Sequence, residues 1–449
     1  MKTGRIILGG TLNLLSPLMI GSGRDDISDR DVLVDSEGIV FIPATSFLGV
    51  LKTYFNVDID KDYLGLYLSE PVNQSFLICD DLYPCSSKGN CRIRDGIRID
   101  NSKGIVEDKA KFDYQVVEPG LNFTFRLEFV INNENRYIQA QHILEECLGV
   151  FEHSFFLGGK RSSGFGKLKA GNLYVNEYDF DTASGLTQYL LELQSSNNIE
   201  NYKPKFSTYD TFVIKADFHL KNSLMVRTYP EDVYGPDAVH ISSQGKPILP
   251  ATSVRGVLRA QAERILYTIW QDVDFIEDFV SSMFGTAVTK NKKYTIPSAL
   301  YVNEVPISNV TTELQNRICI DRFTGGTIEG ALFDSMPVFP QDSKTENITH
   351  LTLRLEHPLP SQKGLLILLL KDLYTGDLAI GGEKNIGRGT LQGLKATIFD
   401  QNKKNSISQI TELPDNFTPY LEALIKNSDK DQIQNNLAIY KDKGGKVNE

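Results

Sequence analysis

A chain of 449 residues with 41% apolar and 23% charged residues is globular material, and it exceeds the ~250–300 residues at which one hydrophobic core usually divides. No run of ~18 apolar residues offers a membrane-spanning helix, and the alternating start MKTGRIILGGTLNLL lacks the continuous apolar stretch of a signal peptide, so a cytoplasmic protein is expected. The net charge of −10 excludes a uniformly basic nucleic-acid binder, although Lys and Arg still gather in a few short glycine-bearing segments.

From the N-terminus, residues 6–20 alternate in polarity and predict a strand. A loop rich in aspartate follows, and Pro43-Ala44-Thr45-Ser46 then predicts a hydroxyl N-cap, with Phe47, Val50, Leu51 and Tyr54 on the apolar face of a helix. Cys79, Cys85 and Cys91 are separated by five residues each, which leaves two readings open: a structural Zn²⁺ site completed by Cys147 or a histidine, or plain reduced thiols. The excursion to about residue 120 reads as hairpins and loops, residues 122–132 as an alternating strand, residues 137–156 as a helix, and residues 167–174 as a last strand. This order, β-α-β-β-α-β with a mid-fold excursion, is an α+β, ferredoxin-like arrangement.

The chain then repeats itself. PATSFLGVLK (residues 43–52) returns as PATSVRGVLR (250–259) with seven identities in ten, and LSPLMIGSG (15–23) aligns with NSLMVRTY (222–229). IRIDNSKGIVEDKAKFD (97–113) returns as ICIDRFTGGTIEGALFD (318–334) at a constant offset of 221. FRLEF (125–129) and GGKRSSGFGKL (158–168) return as LRLEH (353–357) and GGEKNIGRGTL (381–391). Five blocks in one order predict two tandem copies of one fold. The expected organisation is a first domain over residues 1–180, a linker over 181–208, a second domain over 209–400 and a polar C-terminal tail over 401–449, with one helix near residues 420–425 and a mobile end.

Two repeated segments suit RNA. The glycine segment offers Gly158, Gly159, Gly164 and Gly166 for close backbone approach, with Lys160 and Arg161 to meet phosphate; its partner offers Gly381, Gly382, Gly387 and Gly389 with Lys384 and Arg388. At the helix starts, Thr45, Ser46, Thr252 and Ser253 present hydroxyls and free N–H groups, and the following turns carry Lys52 in one copy and Arg255 and Arg259 in the other. A tight turn and a solvated helix face are the plainer explanations. No phosphate-binding G-x-x-x-x-G-K-[ST] loop and no dinucleotide fingerprint is present.

Together, the strand ending in a G-S-G turn, P-x-T-S-x-x-G-x-L-[KR] and the late G-G-x-[KR]-x-x-G-x-G resemble the RAMP superfamily, and the I-x-I-D-x-x-x-G block resembles the backbone subunits of type III CRISPR effector complexes. Two copies in one chain look like the fused versions of type III-D. The resemblance implies tandem ferredoxin-like (RRM-like) domains, each with an inserted thumb hairpin, here near residues 100–117 and 321–339. It also implies an antiviral ribonucleoprotein whose partners are guide RNA, complementary target RNA and neighbouring effector subunits, with no membrane. Ala44 and Ala251 stand where the family often has Gly, and Arg227 replaces the Gly21 of the first copy.

Some subunits of this kind are metal-dependent endoribonucleases that use an aspartate of the loop after the first strand, with Mg²⁺ or Mn²⁺. Counting back from Pro43 places Asp29 at that position, with Asp26 and Asp31 as the next candidates. In the second copy Pro236 takes the counted position, Asp237 lies one residue off, and Asp232 competes. Aspartates also cap turns. The alternatives are a non-cutting guide-RNA scaffold, which would share every glycine feature, and a metal-independent guide-processing nuclease with a histidine or tyrosine base. His240 is the nearby histidine, and a structural role for it is the plainer expectation.

Overall fold

The computed structural model describes residues 3–23, 28–55, 75–86, 88–100, 105–191, 199–205, 210–230, 232, 234–286, 294–341, 347–400, 403–407 and 417–444. The chain forms two compact units, the first from Met1–Arg98, Val106–Arg161 and Phe165–Thr208, the second from Tyr209–Glu449 with Ile99–Ile105 and Ser162–Gly164.

In the first unit the alternating N-terminal segment is the strand Gly4–Leu14, which lies at the centre of a five-stranded antiparallel sheet. The spatial order is Leu77–Cys79, Asn122–Ile131, Gly4–Leu14, Lys167–Asp179, Ser154–Phe156. Helices Ala44–Tyr54 and Glu134–Glu152 bury their apolar faces against it. Asn133 caps the second helix by accepting the Arg136 N–H at 2.8 Å. Between sheet and helices, Phe125 and Phe151 lie 5.0 Å apart, and Phe47 and Phe155 flank them at 5.7 and 5.9 Å. These distances suit tilted ring packing, which adds to the burial itself.

In the second unit Leu300–Val302, Ile348–Glu356, Thr211–Leu220 and Leu391–Asp400 repeat the first four places, while the fifth differs: Lys403–Ile407 follows Leu391–Asp400 in the chain, whereas Ser154–Phe156 precedes Lys167–Asp179. Its helices Ala251–Ile269 and Pro360–Tyr374 correspond to those described in the first, and a further helix spans Val273–Phe284.

Each unit also carries a hairpin outside its main sheet. In the first, Cys91–Gly96 pairs with Phe112–Val117, setting Arg94 opposite Tyr114 and Asp95 opposite Asp113. In the second, Gln315–Ile320 pairs with Thr327–Met336, setting Gln315 opposite Ser335 and Asn316 opposite Asp334. Both registers obey the same offset of 221, so the hairpins are copies of each other.

The 181–208 segment contains helix Ala183–Leu190, buries Tyr202 in the first core, and bonds Lys205 N–H to the Glu145 carbonyl at 3.0 Å. In the tail, Thr418–Lys426 is a helix where one was expected near 420–425, and a second helix, Lys430–Gly444, follows it; together they place Phe417, Leu424, Ile433 and Leu437 in the second core. The residues beyond Gly444 lie outside the described part. One expectation is corrected: the hydroxyl N-cap is absent, since Pro43 and Pro250 hold the cap positions without a side-chain bond and the hydroxyls fall in the first turn.

Phe151→Ala should remove the ring that joins the aromatic cluster and lower the unfolding free energy of the first unit by about 3–5 kcal/mol. Chemical denaturation followed by tyrosine fluorescence reads this, and a loss below about 1 kcal/mol would rule out the cluster as the core.

Candidate nucleic-acid interface

The segment that leaves each central strand is held between the hairpin and the glycine loop. In the first unit Leu18 exchanges two backbone bonds with Val117 of the hairpin, at 2.9 and 2.8 Å. Met19 and Pro17, on either side, accept the Gly159 and Gly166 N–H groups at 2.7 Å each. The second unit repeats the weave: Leu224 exchanges bonds with Val338 at 3.0 Å, while Met225 and Ser223 accept Gly382 and Gly389 at 2.8 and 2.7 Å.

This explains the repeated glycines. Gly166 and Gly389 have φ of +70° and +81°, and a Cβ added there would fall 1.7 Å from the Leu157 carbonyl oxygen and 1.9 Å from that of Ile380. Gly158 and Gly381, at φ +88° and +90°, would each place a Cβ 2.5 Å from a carbonyl of the strand-leaving segment. The close approach read from sequence is therefore made first to the chain's own backbone. Gly164 and Gly387 share the left-handed conformation of a tight turn. Of the loop cations, Lys160 and Arg161 are half-buried, Lys384 is exposed, and Arg388 is buried.

At the helix starts Thr45 and Thr252 are exposed, and Ser46 and Ser253 half-buried. In the first unit the Asp81 carboxylate already accepts the Ala44 N–H at 2.7 Å, taking a place the helix end offers to anions. Lys52 lies in the last turn. Arg255 turns inward, donating to the Ser298 hydroxyl at 3.2 Å and to the carbonyls of Phe284, at 2.9 Å, and Leu300. Burial, with Arg259 beside it, pulls this guanidinium down to about 10. Arg259 donates to Glu263 and to the Gly285 carbonyl. Both arginines thus fasten the helix to the segment after Phe284, a use that their places on a helix face did not reveal.

The loop aspartates separate by partner. Asp29 and Asp113 clasp each other: the Asp29 N–H donates to the Asp113 carboxylate at 2.8 Å, and the Asp113 N–H to the Asp29 carboxylate at 2.9 Å. Asp237 and Asp334 make the same reciprocal pair at 2.6 and 3.1 Å. Asp237, not Pro236 or Asp232, is therefore the counterpart of Asp29. Asp113 and Asp334 were missed as site residues, although they close the repeated 97–113 and 318–334 blocks. Asp31 is buried and accepts both the N–H and the hydroxyl of Ser28 at 2.8 Å. Asp232 caps its own turn through the Tyr234 N–H. Asp26 lies outside the described residues.

Among the described residues no group of three or more His, Cys, Asp or Glu side chains could hold a metal ion unaided. Cys79, Cys85 and Cys91, for which zinc and plain thiols were both open readings, form no such group among the described residues. Burial, reinforced by Asp80 and Asp81, pushes the Cys79 thiol up to about 12, and burial raises Cys91 as well, so without a metal both are protonated thiols at neutral pH. A hard divalent cation differs, because Mg²⁺ takes one or two carboxylates and completes its shell with water and substrate phosphate. Each clasp supplies two carboxylates, and each carboxylate spends one oxygen on the partner's N–H.

His240 is built into the fold. Its Nδ1 accepts the Val226 N–H at 3.1 Å and its Nε2 lies 2.9 Å from the Ile248 carbonyl, so the ring is neutral with its proton on Nε2. Neither nitrogen is left to act as a base.

Residues 11–169 and 220–392, about three quarters of the chain, match the family model described as RAMPs: RAMP superfamily. Comparison with curated proteins finds no match.

Gly166→Ala and Gly389→Ala should each cost roughly 2–4 kcal/mol of their own unit's stability, combining left-handed strain with a backbone clash; a midpoint unchanged in denaturant would refute the stitch. Burial also lowers His240 to about 4. With the folded value below the ordinary ~6.5, its contribution is present above that pH and lost as pH falls toward about 4, by at most about 1.4 kcal/mol per pH unit. His240→Gln should flatten that acid-side slope for the second unit, and an identical slope in both proteins would refute the neutral assignment.

Proposed function

Because this chain belongs to the RAMP superfamily, whose members are associated with CRISPR RNA-binding complexes, we propose that it is a backbone subunit of a type III effector that binds guide RNA and cuts complementary RNA. The two matched regions and the shared order of four strands in each sheet support two tandem ferredoxin-like domains. The hairpins suit the thumb role, since they expose apolar residues that soluble surfaces seldom group: Ile93, Ile97 and Val106 on one, and Ile318, Ile320, Leu332 and the fully exposed Phe323 on the other. Apolar wedges of this kind unstack bases in bent or opened nucleic acid.

The observation that carries the nuclease reading is the doubled aspartate clasp. It joins the loop after the first strand to the base of the hairpin, where RNA held by the loop would be distorted by the hairpin. Cleavage needs the ribose 2′-oxygen in line with the scissile phosphorus. As the bond from the 2′-oxygen forms, the bond to the 5′-oxygen breaks, leaving a 2′,3′-cyclic phosphate and a 5′-hydroxyl, with the 2′-proton passing to a base and the leaving oxygen gaining one. Alignment accounts for much of such a rate. Asp29 and Asp237 would hold Mg²⁺ or Mn²⁺ when it is bound, which would stabilise charge on the phosphoryl oxygens. Asp113 and Asp334 keep each carboxylate in place.

The guide-loaded complex with labelled complementary RNA and Mg²⁺ tests this. Asp29→Ala and Asp237→Ala should each abolish one cut, by about 100-fold or more, with target binding within a few-fold of wild type. Unchanged cuts with intact binding would make the chain a non-cutting scaffold.

A further inference from the structure

The two glycine loops carry opposite charges at the same place. Lys160 follows Gly158-Gly159, Glu383 follows Gly381-Gly382, and both adopt the left-handed conformation, at φ +54° and +58°. In the second unit three arginines bind the Glu383 carboxylate: Arg227 at 2.5 Å, Arg317 at 2.8 Å and Arg388 at 2.7 Å. Arg388 is itself buried and held by Ser223 and Gln315. Burial alone would raise the Glu383 carboxyl, but these three guanidiniums outweigh it and hold it below the usual range.

The first unit replaces every member of this set. Gly21, Gly96 and Phe165 stand where the second has Arg227, Arg317 and Arg388, and Arg94 stands for Gln315. The Lys160 Nζ sits 3.0 Å from the centre of the Tyr114 ring and 5.1 Å from that of Phe112, and among the described residues no carboxylate pairs with it. Arg94 lies 5.6 Å from the Phe165 ring and is ion-paired to Glu118 at 3.3 Å, both side chains buried. Burial, with Arg30 and Arg94 as the acting charges, pulls Lys160 down to about 7. The second loop thus contains its own anion, while the first gathers cations around a lysine that lacks one.

We infer that the two copies differ in how they meet the RNA backbone: the first seats a phosphodiester at Lys160, flanked by Arg30 and the Phe112 and Tyr114 rings, whereas Glu383 fills the equivalent seat of the second. The inference rests on the chain being an RNA-binding subunit. A phosphate at Lys160 would favour the charged ammonium and could set a base or ribose against the rings, as in single-strand binding sites. A phosphate at Glu383 would meet a like charge already held by three ion pairs, and opening buried ion pairs is costly.

Binding of a fluorescein-labelled single-stranded RNA to the full chain, measured by anisotropy across a salt series, decides the matter. Lys160→Glu should weaken binding about tenfold or more, and both it and Lys160→Met should lower the log–log salt slope by about 0.7, the loss of one single-strand phosphate contact. Lys160→Met keeps the stem on the rings and carries the test should the glutamate disturb folding. Glu383→Gln should leave affinity and slope undiminished while lowering the unfolding midpoint of the second unit. Wild-type affinity and slope in both Lys160 variants would overturn the inference and leave RNA binding intact. So would a Glu383→Gln loss matching theirs. A wild-type chain that binds no RNA would overturn the inference together with the reading beneath it.

Discussion

In each unit three residues leaving the central strand bond alternately to two sides. The middle one pairs with the hairpin at Val117 in one unit and with Val338, just past the hairpin, in the other, and its neighbours accept from the glycine loop, through Leu18, Met19 and Pro17 in one unit and Leu224, Met225 and Ser223 in the other. Extended backbone alternates its bonding groups in this way, so a three-residue ribbon can tie two otherwise separate loops to one sheet. The small cluster of Met19, Tyr114, Val116 and Phe165 fills the space beneath it. The placement of the aspartate clasps, of Lys160 and of Glu383 follows from this weave, because all lie on the segments it joins.

Much of this was legible because duplication gives a single sequence an internal alignment. The repeat, the central alternating strand and the Phe47, Leu51 helix face all follow from period and spacing. Asp237 shows the limit. Counting across a gap left it one residue off, and only the identical hairpin registers, with the matching bonds to Asp113 and Asp334, fixed it as the partner of Asp29. Backbone partners cannot be read from residue type. The glycines were read as room for RNA, and the structure fills that room first with the carbonyls of Leu157, Ile380, Met19 and Met225. Arg255 misled for a related reason, since a helical arginine reads the same whether it faces solvent or the carbonyls of Phe284 and Leu300. The hairpin's first arm, Cys91–Gly96, escaped notice because its counterpart shares little with it beyond register.

The tail is a different kind of miss. Its polar composition suggested one helix near residues 420–425 and a mobile end, yet a few apolar residues, Phe417, Leu424, Ile433 and Leu437, are enough to dock two helices on the second core. Lys430 and Lys441 pair with Asp272, the cap of helix Val273–Phe284, and with Asp278 within it, at 2.7 and 3.0 Å. Such exposed pairs contribute little energy, so the buried apolar contacts carry the docking.

The exchange of Lys160 for Glu383 also bears on how the duplicated halves diverged. A lone change from lysine to glutamate in a loop of the first type would bury an acid with no arginine from the positions of Gly21, Gly96 and Phe165 to receive it. Conversely, a lysine placed at Glu383 would bring a fourth cation to Arg227, Arg317 and Arg388. Substitutions that share one ion-pair network are strongly non-additive. Each charge is therefore matched to its own surroundings, and converting one loop into the other takes several coordinated changes rather than one.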